Sequence, residues 1–131
     1  MAHRIKAIAA YRPRINYGNS ADLKEVVKLI VSRSTLNEGE VYNSLRELRD
    51  VVAYLCLTGR AVNLDGLSHY TPQVNLDGSY NVSIRPHLQL KNELNKPGEF
   101  SGKIINRDMI GKTPDELVAL WNEEHPDDLV A

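Results

Sequence analysis

An α+β fold with its strands gathered in the middle of the chain is what the sequence predicts, and three observations predict it. Apolar residues recur at helical spacing through 23–31 and 41–55, at a period of two through 62–84, and again at helical spacing through 114–124. The pair Asp77-Gly78 divides the period-two region into a hairpin. The composition agrees: 131 residues with 42% apolar and 25% charged content suit one folded domain with a small appendage, and exclude a disordered chain.

The first segment, 1–20, reads as an N-terminal extended arm or short strand. Ile5, Ala7, Ala9 and Tyr11 share one parity, and no turn residue intervenes before Pro13. Its cations Arg4, Lys6, Arg12 and Arg14 suit either phosphate contact or a solvated strand edge. After a turn at Tyr17-Gly18-Asn19, Leu23, Val26, Val27, Ile30 and Val31 form the apolar stripe of a first helix, capped by Asn19 or Ser20 and opened by Asp22.

The second helix has the clearest start. Asn37 as N-cap with Glu40 three residues on forms a capping box, and Leu36 with Val41 forms a hydrophobic staple. Val41, Leu45, Leu48, Val52 and Leu55 then recur at intervals of four and three, the seam of a helix that packs on another long helix. Val51, Tyr54 and Leu57 widen the apolar surface beyond that stripe. Such a helix needs more partner surface than a small monomer supplies, so the seam residues are expected at a dimer interface. Gly59 is placed to end the helix in a left-handed conformation.

Beyond Gly59, Val62 and Leu64 begin a strand, Gly66 bends it, and a second strand runs to Val74. Leu76-Asp77-Gly78-Ser79 predicts a two-residue type I′ turn. Tyr80, Val82 and Ile84 return on one face, with Asn81, Ser83 and Arg85 on the other. Pro86 opens a short helix carrying Leu88, Leu90 and Leu94, and Lys96-Pro97-Gly98 ends it. In 97–131, Lys103 to Asn106 reads as a short strand. Thr113-Pro114-Asp115-Glu116 supplies a cap, a proline at the first helical position and a capping glutamate for a helix near 114–124, whose buried face carries Leu117, Leu120 and Trp121.

Charge and residue inventory exclude several functions. The single Cys56 admits no internal disulfide and sits in an apolar helical pattern. No apolar run approaches twenty residues and the start lacks a secretory signal, so a cytoplasmic protein without membrane association is expected. The four histidines show no paired spacing with a nucleophile, and neither an enzyme, a cofactor nor a metal site is expected. Gly111-Lys112-Thr113 has the end of a phosphate-binding loop, but Asn106 stands where its first glycine belongs. Residues 1–96 carry 13 Lys and Arg against 9 Asp and Glu, and 97–131 carry 3 against 8. So small a basic excess argues against tight nucleic-acid binding. The acidic 97–131 segment has three readings: a structural cap on the body, a docking site for a protein partner, or a phosphate mimic over a DNA-binding surface.

The run Gly59-Arg60-Ala61-Val62-Asn63-Leu64-Asp65-Gly66-Leu67, preceded by two helices and followed by a hairpin and Ile84-Arg85-Pro86, resembles the HU/IHF family of bacterial DNA-binding proteins over 21–96. That resemblance implies an intertwined homodimer with paired helices below a β saddle that holds DNA in the nucleoid. The family's long β arms and tip proline are missing, since only seven residues separate Val74 from Val82. Proline-wedge bending is therefore not expected. The expectation is non-specific duplex binding on the saddle by Arg85, Asn81 and Ser83, aided by His69 and Gln73 and flanked by Arg60, Arg12 and Arg14. Tyr70 and Tyr80 suit core packing or base stacking. The alternative is a dimeric interaction or assembly module that has lost DNA.

Overall fold

The computed structural model describes residues 2–131. The elements run α1 (Arg4–Tyr11), β1 (Arg14–Asn16), α2 (Leu23–Ser32), α3 (Glu38–Leu57), β2 (Val62–Leu64), β3 (Ser68–Val74), β4 (Tyr80–Pro86), α4 (Leu88–Leu94), β5 (Lys103–Ile105), a 3-10 turn (Arg107–Met109) and α5 (Pro114–Glu124). They form two units, one of Ser20–Phe100 and one built from both chain ends, Met1–Asn19 with Ser101–Ala131.

In the Ser20–Phe100 unit, α2 is capped by Asp22 rather than by Asn19 or Ser20. The Asp22 carboxylate accepts the Glu25 N–H at 2.9 Å, and its charge also suits the helix N-terminus, an advantage neither neutral residue has. The Asn37 cap is as the sequence indicates, with Oδ1 accepting the Glu40 N–H at 2.9 Å. At the other end of α3, Gly59 adopts φ +82°, and the Gly59 and Arg60 N–H groups reach back to the carbonyls of Cys56 (3.0 Å) and Leu55 (3.1 Å). This Schellman arrangement satisfies carbonyls the helix would otherwise leave open.

Strands β2, β3 and β4 form an antiparallel sheet in chain order. The β3–β4 turn differs from the two-residue type I′ form. Asn75 N–H donates to Ser79 O (2.8 Å) and Gly78 N–H to Asn75 O (3.0 Å), closing a three-residue Leu76-Asp77-Gly78 loop in which only Gly78 has positive φ, +87°. A type I turn followed by a left-handed glycine needs one such residue where type I′ needs two, and Asp77 keeps the ordinary sign. The Asp77 carboxylate accepts the Ser79 hydroxyl (2.6 Å) and N–H (2.9 Å), which hold its carboxyl below the usual range. A Cβ on Gly78 would meet nothing within 4 Å. Gly78→Ala is therefore expected to cost only its backbone strain, about 1–2 kcal/mol, visible as a lowered thermal midpoint. Pro86 ends β4 instead of opening α4. His87 is the cap, its Nδ1 accepting the Gln89 N–H at 3.2 Å.

This unit buries little within one chain. Only Val27, Val41, Val62 and Ser68 are closed off from solvent, while Leu57 (86% exposed), Tyr54 (65%) and Ile84 (62%) stay open.

In the second unit, 4–11 is a helix and not an extended arm. The Ile5/Ala7/Ala9/Tyr11 alternation is overridden by good helix formers, and the covered positions Ala7, Ile8 and Tyr11 fall three and four apart. Only Arg14–Asn16 is extended, pairing antiparallel with β5. Helix α5 has the sequence-indicated start, with Thr113 Oγ1 accepting the Glu116 N–H at 3.2 Å and Pro114 in the first turn. Its Leu117 and Trp121 are buried and Leu120 is half-buried.

Trp121 packs with Ala2 and Ala7, meets Tyr11 edge-on at 6.4 Å, and stacks against His125 at 3.8 Å. Its Nε1–H donates to the Asp128 carbonyl at 2.7 Å, so the ring's polar atom is satisfied. Asn122 Oδ1 accepts the Val130 N–H at 2.7 Å, and Ala2 N–H donates to Leu129 O at 3.1 Å. Charges also join the ends: Arg4 with Asp115 (2.6 Å) and Lys6 with Asp128 (3.4 Å). The Tyr11 hydroxyl donates to Glu124. That hydrogen bond first, then desolvation and the carboxylate's charge, push the phenol up to about 12. The segments 1–20 and 97–131, read as separate pieces in sequence, thus fold largely together.

Candidate nucleic-acid interface

The β3–β4 register gives the sheet two chemically distinct faces. Directly paired residues share a face in an antiparallel sheet. Gln73 pairs Asn81, Thr71 pairs Ser83, and His69 pairs both Arg85 and, across β2, Asn63. One face is therefore polar throughout. The alternate positions pair Val62 with Tyr70, Leu64 with Ser68, Ser68 with Pro86, Tyr70 with Ile84, Pro72 with Val82, and Val74 with Tyr80, a face apolar but for the buried Ser68; α3 meets β2 and β3. Tyr70 and Tyr80 belong to this second set and not to the Arg85 face.

The alternation of the two β4 sets is what the sequence indicates, and it assembles Arg85, Asn81 and Ser83. Arg85 and Asn81 are exposed and Ser83 is half-buried. Asn81 Oδ1 accepts the Val82 N–H at 2.8 Å, which ties one end of its carboxamide to the strand. A guanidinium beside an imidazole, hydroxyls and carboxamides can donate to phosphate oxygens without reading base edges.

Arg60 lies apart from that row, exposed in the turn between α3 and β2 with its N–H engaged by the helix end. Arg12 and Arg14 are exposed in the other unit, Arg12 closing α1 and Arg14 opening β1. Two cations escape sequence reasoning, Lys103 on β5 and Arg107 just beyond it. The only sequence signal is two separate pairs of cations, and the strand pairing that unites them is not legible there.

Along the α3 seam, Val41 is buried within its own chain, Leu45, Val52 and Leu55 are half-buried, and Leu48 is 38% exposed. Val51, Tyr54 and Leu57 continue the open apolar surface around the helix.

Among the described residues, no group of three or more His, Cys, Asp or Glu could hold a metal ion. Nor is any helix among them long and apolar enough to cross a membrane. An open cleft of about 420 Å³ beside α5 is lined by Met109, Lys112, Glu116, Leu117, Ala119, Leu120 and Glu123, which include no nucleophile with a base beside it. No family model, curated protein or solved structure matches the chain.

Proposed function

We propose that the chain is a homodimeric, HU-like protein that binds duplex DNA non-specifically through the polar face of β2–β4, without a wedge residue that bends the duplex. The observation that carries this reading is a two-faced sheet in a unit that leaves most of its apolar surface open. Covering a Leu, Ile or Val side chain contributes about 1.5–3 kcal/mol, so a second copy that covers Leu48, Val51, Leu57 and Ile84 would supply the core one chain lacks. The polar face then carries one Arg85 per chain, doubled by the dimer.

Each phosphate contact contributes about 0.9 to the slope of log affinity against log salt. Fluorescence anisotropy with a duplex at low and physiological salt is expected to show binding that weakens with salt, and Arg85→Gln is expected to flatten the slope by about two in the dimer. No binding at low salt, or binding without a salt slope, refutes the proposal.

The single arginine per chain on that face favours a second reading, a dimeric interaction or assembly module without nucleic acid. Recovery of a stoichiometric protein partner after nuclease treatment, with no duplex binding by the pure protein, supports it.

A further inference from the structure

We infer that the β1–β5 ribbon of the end-to-end unit is a second contact surface for the phosphate backbone of duplex DNA, made by Arg12, Arg14, Lys103 and Arg107. The inference takes its ligand from the proposed DNA binding and stands on different residues. Arg14 pairs with Ile105 and Asn16 with Lys103, so Arg14, Asn16 and Lys103 share one face of the ribbon. Asn106, held at φ 58°, donates from Nδ2 to the carbonyls of Ala10 (3.0 Å) and Arg12 (3.2 Å). That clasp brings the start of Arg107 to the end of the ribbon where Arg12 enters.

The four cations are exposed, and none of them forms an ion pair among the described residues. Arg4, Lys6 and Lys112, the remaining cations of this unit, are each paired with a carboxylate. The unit as a whole is balanced, with seven cations and seven carboxylates, yet the stretches 10–17 and 101–109 hold four cations and only Asp108. Pairing elsewhere has sorted the charge and left the ribbon positive.

The geometry favours nucleic acid over other anionic partners. Arg14 and Lys103 are diagonal neighbours across the ribbon, about 7–8 Å apart, so their two charges can meet separate phosphates of one DNA backbone. A lipid surface calls for exposed apolar anchors beside the cations, whereas Ile15, the exposed ribbon isoleucine, lies on the opposite face and Ile105, on the cations' own face, is half-buried.

The test compares the full chain with the variant Arg12→Gln, Arg14→Gln, Lys103→Gln, Arg107→Gln, titrating a labelled duplex across salt concentrations. The expected result is a salt slope flatter by about three or more and a roughly tenfold or greater loss of affinity at low salt. Arg12→Lys, Arg14→Lys, Arg107→Lys is expected to bind like the parent, and Trp121 fluorescence is expected to be unchanged in both variants. A neutralised variant with parental slope and affinity overturns the inference. So does equal loss in the lysine variant, which would assign the effect to packing. Polyglutamate bound as tightly as the duplex overturns the assignment to nucleic acid. Arg85→Gln separates the two surfaces: an effect there with none at the ribbon leaves the sheet reading standing alone, and the reverse leaves only the ribbon. A parent that fails to bind duplex at low salt overturns both.

Discussion

Leu48→Asp is expected to abolish both self-association and the cooperative melting of the Ser20–Phe100 unit. Leu48 is 38% exposed in one chain and sits on α3 beside Val51. In the proposed dimer it enters a core shared between chains, where an unpaired carboxylate costs several kcal/mol. An 81-residue unit with four buried side chains has little stability to lose, so the monomer should not persist as a folded species. Sedimentation velocity with circular dichroism reads both properties. A well-folded monomer, or an intact dimer, would refute the shared core. Leu76→Asp is the control: this loop-tip residue is fully exposed, and its replacement is expected to change stability by less than about 0.5 kcal/mol.

Trp121→Ala is expected to have the second large effect, confined to the other unit. Truncating a buried tryptophan costs about 3–5 kcal/mol, here through the contacts with Ala2, Ala7 and Tyr11 and the hydrogen bond to the Asp128 carbonyl. Hydrogen exchange should show α1, β1 and β5 losing protection while the β2–β4 amides keep theirs. Equal loss in both sets would contradict two separately cooperative units.

The local chemistry of the fold was legible where a few neighbouring residues decide it. Asn37 with Glu40, Thr113 with Pro114 and Gly59 are signals of that kind, and each acts where the sequence places it. The misread positions have different causes. Residues 4–11 alternate in a way that allows a strand; good helix formers favour the helix, and Trp121, more than a hundred residues away, covers Ala7 and Tyr11 on it. The loop at Gly78 has three residues and one positive φ where a type I′ turn has two residues and two, and Asp-Gly permits either. Of the candidate DNA-binding surface, Asn81, Ser83 and Arg85 followed from period-two alternation. Lys103 and Arg107 did not, because their meeting with Arg12 and Arg14 depends on a long-range strand pairing that no local pattern encodes.

The closure of the chain ends on each other bears on how the protein emerges during synthesis. Arg4 meets Asp115 at a sequence separation of 111 and Tyr11 meets Glu124 at one of 113. At a ribosomal rate of about 5–20 residues per second, α1 waits several seconds without its partner while the whole middle of the chain appears. An eight-residue helix is too short to persist alone in water over that wait. Helix α1 is therefore made before the middle of the chain and settles only after α5 has appeared, so the hairpin and long helix have time to find their own partners first.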